Sequence, residues 1–404
     1  MVFKSTTGTG LTRSLSEAAA WGYPGPQGTF APSGEGDIRP AVYAPGSSFT
    51  ETAASILSTL FTEDFDPLAA DRLAERAFPV APPIVQADEA IPVIDFTQGA
   101  TGSSADYGAG LLVGLAEARA RGGRRQLIVA FDGAWGAALV EAASDVESLR
   151  VLLLCGGEEA EGIKPQRLAR EGGRTLLVGL RGSQRERLAF LRSLCGKSAA
   201  GYDFVVAGPG NPVDLAARIM LHAATFADLR RGSSGELYAA LPVGSSLALA
   251  SALWAWRLGL PLTGIVVPQT DQAGAARDRA FEDVVERFRA ERSGLVGSIL
   301  SYRTVTEAEA FEARDALLSN GGPRLDRAAS FALAAARRSL VPALRGYSRV
   351  AVASHAQPFW ERSAAWRCGD RPAALASALA GARLDATIGP DAKEFEDLLA
   401  SSLQ

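Results

Sequence analysis

The sequence predicts an α/β fold, with two interwoven α/β domains and largely parallel sheets. Apolar runs such as "RQLIVAF" (125–131) and "LRVLLLC" (149–155) are bounded by Gly, Asp or Pro, as expected for parallel strands covered on both faces. Helical stretches such as 105–123 separate these runs. Regular alternation of strands and helices is typical of α/β proteins with a parallel sheet.

The same patterns extend along the chain. Further buried strands are predicted at 174–180, 202–208, 237–243, 262–268 and 349–354. Helices are predicted at 51–61, 105–123, 136–146, 212–231 and 245–259, and a helical stretch fills 305–345. We therefore divide the chain into a Pro-, Gly- and Ser-rich segment 1–90, a core 91–300 that forms a cleft between two interwoven domains, and a helical segment 301–404 with a returning strand.

The composition of the chain argues against several classes of protein. The chain has 404 residues, a net charge of −4 and no clustered basic face, so no nucleic-acid partner is expected. No apolar run approaches the ~18 residues of a membrane span, and the amino terminus lacks a signal-peptide core. The cysteines and the two histidines, His222 and His355, are scattered, which argues against a metal site or disulfide framework and for the cytoplasm.

Three predicted strand-to-helix junctions share one chemistry. They read "GATGSSADYG" (99–108), "AFDGAWGAAL" (130–139) and "LPVGSSLALA" (241–250). Small residues let backbone N–H groups approach a ligand, and a helix amino terminus attracts phosphate or carboxylate. The serines in these loops either cap helices or bind a ligand, and three such loops at strand ends indicate a cleft. The expected partner is a small anionic or amino-acid-like ligand.

The chain resembles the threonine synthases. "FKSTTG…SLSEAAAWGYPGPQGTFAP" (3–32) is similar to their opening segment, and "IPVIDFTQGATGSSADYGAG" (91–110) to their Leu-Phe-His-Gly-Pro-Thr…Phe-Lys-Asp-Phe-Gly segment. The segment 129–142 resembles their Ser-Gly-Asp-Thr-Gly loop, 162–183 the βαβ stretch that follows, and 241–262 the loop that cradles the cofactor phosphate. The stretches 217–226, 325–338 and 350–360 also correspond. The resemblance implies the tryptophan-synthase-β-like fold of fold-type II pyridoxal phosphate (PLP) enzymes.

The resemblance also locates a missing group. The family lysine that bonds PLP falls on Ala105, which has no amine to form a Schiff base. Asp106, Tyr107 and Gly108 follow it as in the family pattern. Lys164 and Lys197 lie outside these loops. We therefore expect no cofactor, because PLP has no lysine to hold it covalently.

The other two loops depart from the family as well. Asp132, Gly133 and Trp135 stand in the substrate loop, where an indole would shape the pocket. Gly244, Ser245 and Ser246 remain in the phosphate loop, so an anion can still bind there. Ser354 matches the hydroxyl that meets the pyridine nitrogen.

Our first hypothesis is a cofactor-independent enzyme, lyase- or transferase-like, that acts in amino-acid metabolism on a small amino-acid-like or carboxylate- or phosphate-bearing substrate. Asp132 and Asp106 are the acid and base candidates, because paired carboxylates in a cleft can have pKa values that differ. Asp106 can instead complement the helix dipole, and Asp132 can simply end its loop. The expected ligand-binding residues are Thr101, Ser103, Ser104, Gly133, Trp135, Gly244, Ser245, Ser246 and Ser354.

Two alternatives stay open. The protein can be a non-catalytic ligand sensor or a partner subunit, and a homodimer is left open. The stretch "LWAWRLGL" (253–260) would anchor an interface if exposed, although packing of a buried helix explains it better. The more remote alternative is PLP-dependent threonine synthesis from O-phosphohomoserine.

Overall fold

The computed structural model describes residues 1–120, 123–156, 175–231, 235–270, 279–340, 347–361, 363, 365–367, 369 and 384–403. The strands are β1 (Val2–Ser5), β2 (Thr12–Arg13), β3 (Phe30–Ser33), β4 (Ile84–Asp88), β5 (Ile91–Asp95), β6 (Arg125–Phe131), β7 (Leu149–Gly156), β8 (Thr175–Leu180), β9 (Ser198–Ala199), β10 (Tyr202–Ala207), β11 (Glu236–Ala240), β12 (Gly264–Thr270), β13 (Leu300–Val305), β14 (Ser348–Ser354) and β15 (Ala386–Ile388).

The helices alternate with these strands. They are α1 (Leu15–Trp21), α2 (Arg39–Val42), α3 (Phe49–Leu60), α4 (Pro67–Ala77), α5 (Ala105–Ala120), α6 (Ala134–Ala142), α7 (Gln184–Ser193), α8 (Pro212–Arg231), α9 (Ser246–Arg257), α10 (Glu282–Glu291), α11 (Ser293–Ile299), α12 (Glu307–Ser319), α13 (Arg327–Ser339) and α14 (Ala392–Ser402). Among the described residues, no helix is both long and apolar enough to cross a bilayer.

Two six-stranded sheets form the framework. The first has the order β15-β8-β7-β6-β10-β9, and only the edge strand β9 runs antiparallel to its neighbour. The second has the order β13-β12-β11-β14-β5-β4, with β4 antiparallel at the edge. The predicted α/β fold with largely parallel sheets is confirmed. A small antiparallel sheet, β2-β1-β3, precedes both.

The chain passes between the two sheets more than once. β5 belongs to the second sheet, β6 to β10 to the first, and β11 to β14 again to the second. β15, close to the carboxyl end of the chain, returns to pair with β8 in the first sheet. The division at residues 90 and 300 stays a prediction. Part of the segment 162–183 lies outside the described residues.

Helix α5 is buried on almost all sides, because its glycines admit close neighbours. A Cβ at Gly108 would lie 2.9 Å from the Trp135 ring, and one at Gly110 would lie 3.0 Å from the backbone of α4. α5 also packs against α6 and α8. Most of the stretch 253–260 is buried too, with Leu253 fully covered and Trp254 3% exposed, while Trp256 is half-buried.

Candidate functional site

The loops that follow β5, β11 and β14 lie together at one edge of the second sheet. These strands are neighbours in the order β11-β14-β5 and run parallel, so their carboxyl ends meet at the same edge. In open α/β sheets, ligands bind beyond this edge. The substrate-loop candidates follow β6 and therefore belong to the other sheet.

The loop after β5 is held together by its own carboxylates. Asp95 accepts hydrogen bonds from the amide of Thr97 at 2.9 Å and from the amide group of Gln98 at 2.6 Å. The Thr101 amide and hydroxyl donate to the two oxygens of Asp106 at 3.1 and 2.7 Å. The Thr101 hydroxyl, expected to bind a ligand, is therefore used inside the loop.

Burial raises the pKa of Asp106 to about 6, with a smaller contribution from Glu141, and the Thr101 hydrogen bonds oppose the shift. Asp106 lines a cavity of about 570 Å³ between α5 and α6, and that lining includes Glu141 and does not include Asp132. Glu141 is thus a carboxylate neighbour that the sequence did not indicate. The pairing of Asp106 with Asp132 as acid and base remains a prediction.

The serines before α5 face the end of β14. The carbonyl of His355 accepts hydrogen bonds from the Ser104 amide at 2.9 Å and from the Ser104 hydroxyl at 2.8 Å. The Ser103 hydroxyl lies 3.4 Å from the same carbonyl, and Gln357 donates its amide to Gly102 at 2.9 Å. These contacts fix His355 beside Ala105, which is 7% exposed.

Behind Ala105 lies a buried polar cluster that the sequence did not reveal. The His355 ring stacks on Phe96 with ring centroids 5.2 Å apart, and it lies 5.8 Å from the His222 ring. Arg218 contacts Nδ1 of His355 and pairs with Asp214 at 3.7 Å. The two histidines looked isolated in the sequence, and the fold brings them together. Still, no group of three or more His, Cys, Asp or Glu side chains suited to a metal occurs within the described ranges.

Ser354 is the candidate with an unused group. It is 1% exposed, and its Oγ has no hydrogen-bond partner among the described residues. An unsatisfied buried hydroxyl costs about 1–3 kcal/mol, so the Oγ of Ser354 is available to a bound water or ligand. Its position at the end of β14, directly before His355, places it at the shared edge of the sheet.

The phosphate-loop candidates begin α9. Gly244 has a φ of 74°, a left-handed conformation that favours glycine, and the Ser245 hydroxyl caps the helix by accepting from the Ala248 amide at 3.2 Å. The Ser246 hydroxyl accepts from the Phe281 amide at 3.0 Å. Gly244, Ser245 and Ser246 line a cavity of about 620 Å³ together with Arg279, Arg289 and Arg327.

The loop after β6 turns its large side chain inward. Gly133 has a φ of 110°, and the Trp135 indole donates to the Ala207 carbonyl at 2.9 Å. The Asp132 amide donates to Leu154 at 3.2 Å. Trp135 thus packs on Gly108 of α5, next to the residues that follow Ala105. The structure brings the loops after β5, β11 and β14 to one edge and holds Trp135 against α5.

The chain alternates between two parallel-rich sheets, and this arrangement is the fold-type II architecture. Solved threonine synthases share this fold. The Escherichia coli enzyme superimposes with a TM-score of 0.78 at 18% identity, covering 99% of this chain and 100% of that one. PLP-bound threonine synthase from Brucella melitensis gives 0.77 at 17%, with 100% and 99% covered, and the yeast enzyme gives 0.76 at 14%, with 100% and 98% covered.

No protein-family model matches the chain, and no curated protein does. The likeness to threonine synthases therefore rests on structure. It corrects one expectation: a protein without a cofactor was expected from Ala105, whereas a neighbour with this fold over its full length was solved with PLP bound. The expectation rested on covalent attachment through a lysine, although the loops that surround a cofactor can persist when that one residue is replaced.

Proposed function

We propose that the protein is a threonine-synthase-like enzyme whose cleft binds PLP and acts on a small amino-acid-like substrate that bears a carboxylate or phosphate. The observation that carries the proposal is the buried, unpartnered Oγ of Ser354. A hydroxyl at this place can serve the pyridine nitrogen of PLP. The full-length likeness to a PLP-bound threonine synthase supports the same cofactor class.

The loop before α9 suits the phosphate of such a cofactor. Gly244 has a left-handed backbone conformation, and the amino end of the 12-residue helix that follows carries a partial positive charge. The cavity in front of this loop also contains three arginine side chains, with Glu282 and Glu286 among its other lining residues. A phosphate-bearing ligand therefore meets suitable donors here.

Residue 105 limits how the cofactor is held. Alanine has no amine, so PLP at this site is bound through its phosphate, its ring nitrogen and packing of its ring. When bound, PLP supplies an electron sink that stabilises negative charge on an amino-acid carbon. The chain's own residues would bind and orient the cofactor: Ser354 would hold the ring nitrogen and the Gly244 loop the phosphate, while Trp135 packs on Gly108 of α5.

A ligand sensor is the second candidate. Ala105 favours it, because alanine cannot transfer a proton at the position that corresponds to the lysine of threonine synthases. A turnover assay distinguishes an enzyme from a sensor. PLP-loaded protein incubated with L-serine or L-threonine releases ammonia and a 2-oxo acid if it is a lyase of amino acids. A sensor binds without releasing either.

Binding is tested first, by thermal shift and equilibrium dialysis with PLP, pyridoxal and inorganic phosphate. We expect PLP to bind and pyridoxal, which lacks the phosphate, to bind at least about tenfold more weakly. Ser354→Ala should leave the stability of the free protein unchanged or higher, since its hydroxyl has no partner, and should weaken PLP binding about fivefold to tenfold.

Ser58→Ala is the matched control. Ser58 is half-buried on α3, among none of the predicted ligand-binding residues, and its hydroxyl donates to Ser55 at 3.1 Å, so PLP affinity should not change. Absence of PLP binding, or equal affinity in the Ser354 and Ser58 variants, rejects the proposal.

A further inference from the structure

Two ring nitrogens in the cluster behind Ala105 are buried and unused. Nε2 of His222 and Nε2 of His355 have no hydrogen-bond partner in the part of the chain that the structure describes, and His222 is 2% exposed. The rings lie 5.8 Å apart and both pack on Phe96. A polar atom left unpaired in such a place indicates a molecule that completes it.

The neighbours of His355 fix which of its nitrogens carries the proton. Two groups lie next to Nδ1: the Ser104 hydroxyl, 3.3 Å away, which donates to the His355 carbonyl, and the Arg218 guanidinium, which contacts Nδ1. The guanidinium decides the role of Nδ1, because it is charged and can only donate a hydrogen bond. Nδ1 therefore accepts, and the proton of a neutral ring sits on Nε2. His355 thus presents an unused N–H donor.

His222 has the opposite arrangement. The Ser251 hydroxyl donates to the Ala248 carbonyl at 3.0 Å, so its oxygen is left to accept from Nδ1 of His222, 3.4 Å away. The proton of His222 then sits on Nδ1, and its Nε2 is an unused acceptor. The two histidines offer one donor and one acceptor.

A hydroxyl group, of a ligand or of a water molecule, complements both with one atom, because its oxygen accepts one hydrogen bond while its hydrogen makes another. We infer that His222 and His355 form a recognition site for a ligand hydroxyl where their rings meet on Phe96, next to Ser104, and this inference rests on the proposed function. The hydroxyl accepts from Nε2–H of His355 and donates to Nε2 of His222.

Electrostatics keeps both rings neutral, as this recognition requires. Burial and then Arg218 lower the pKa of His222 to about 3, and burial, Arg218 and His222 hold the pKa of His355 well below its usual range. The charged groups near the rings include Arg218 and Asp214 of α8 and Asp95, which directly precedes Phe96, and the rings also contact Phe226, Ser251 and Ser104. A protonated imidazole would lose the acceptor.

The hydroxyl has two chemical sources, which are the side chain of a hydroxy-amino acid and the phenolic hydroxyl of the PLP ring. Both present the same group. Matched probes separate them: L-serine against L-alanine for the first, and PLP against its 3-O-methyl ether for the second. The members of each pair differ at the hydroxyl alone.

The test uses nitrogen-15 NMR on protein labelled in histidine, because the chain contains only two histidines. The free protein should show two neutral rings at pH 6, one protonated at Nε2 and the other at Nδ1. Adding L-serine to PLP-loaded protein, or PLP itself, should shift both Nε2 signals, and the partner probe without a free hydroxyl should not. Two rings of the same tautomer, or equal shifts from both members of each pair, overturn the inference.

Variants give an independent reading by dialysis. The hydroxyl-bearing probe that shifts the signals should bind about tenfold more tightly than its partner, and His222→Phe should abolish this difference. His222→Gln keeps an acceptor and should retain part of it. PLP thermal shifts report on the proposed function separately: PLP binding without hydroxyl discrimination rejects this inference alone, and absence of PLP binding rejects the proposed function.

Discussion

The carboxylate of Asp106 accepts two hydrogen bonds from one residue, Thr101, through its amide at 3.1 Å and its hydroxyl at 2.7 Å. This pair closes the loop that leads into α5 and sets the position of Ala105. Because the hydrogen bonds favour the charged form, they oppose the burial that raises the pKa of Asp106 to about 6.

Removing the hydroxyl should therefore destabilise the protein in a pH-dependent way. We expect Thr101→Val to cost about 1–3 kcal/mol at pH 7.5, where Asp106 is charged, and less at pH 5, where it is mostly protonated. Urea unfolding at the two pH values measures the difference.

Thr29→Val is the matched control for that substitution. Thr29 is equally buried, at 4% exposed, and its hydroxyl has no partner among the described residues. Its replacement should change the free energy of unfolding by less than about 0.5 kcal/mol or raise it. Equal losses at Thr101 and Thr29 would show that Asp106 gains nothing from the hydroxyl.

Much of the framework could be predicted from the chain, because buried parallel strands leave local signals. The run 125–131 and the helix 212–231 coincide with β6 and α8. The short antiparallel strands β1 to β4 were missed, since each has only two to five residues, too few for a recognisable strand pattern.

The site was predicted less completely. The loops of the site could be located because small residues precede predicted helices. The hydroxyls of Thr101 and Ser104, which we expected to face a ligand, instead make hydrogen bonds within the protein. His222 and His355 lie on α8 and after β14, so only the tertiary fold shows that they meet. Two histidines far apart in a sequence carry no signal of contact.

Stability should fall between about pH 4 and pH 7 because of Asp326. Burial, reinforced by Glu361, raises the pKa of this carboxyl to about 7, while the Ala329 amide opposes the shift. A raised pKa means that the folded state holds the proton longer than the unfolded chain, so the stabilisation is complete below the unfolded pKa and is lost as the pH rises to about 7. Asp326→Asn should flatten this slope, because asparagine still caps α13.

Asp66→Asn serves as the comparison for Asp326. Asp66 caps α4 through the same bond, accepting from the Ala69 amide at 2.8 Å, just as Asp326 accepts from Ala329 at 2.8 Å. Asp66 is exposed, so its replacement should leave the slope of stability against pH intact. Chemical denaturation from pH 4 to pH 8 follows both variants. An unchanged slope in Asp326→Asn would contradict the assignment.

Gly108 and Trp135 should be coupled. A Cβ at Gly108 would lie 2.9 Å from the six-membered ring of the indole, so Gly108→Ala is expected to cost about 1–3 kcal/mol through overpacking. Trp135→Phe removes the clashing atoms along with the hydrogen bond to Ala207. In that background the cost of Gly108→Ala should fall by at least about 1 kcal/mol in a double-mutant cycle. Additive losses would show that the two residues do not share this contact.

A lysine introduced at residue 105 tests directly whether PLP binds in the cleft. If Ser354 and the Gly244 loop hold PLP, Ala105→Lys places an amine beside its aldehyde, and a Schiff base should form that borohydride converts to a stable bond. Mass spectrometry of the digested protein should then find the pyridoxyl group on the peptide that contains residue 105. Ala100→Lys, in the same loop but lining the cavity beside Asp106, should carry little label. Free surface amines react with the aldehyde of PLP wherever they lie. Equal labelling of the two variants, or labelling mainly of Lys4 or Lys197, would therefore place PLP outside the cleft.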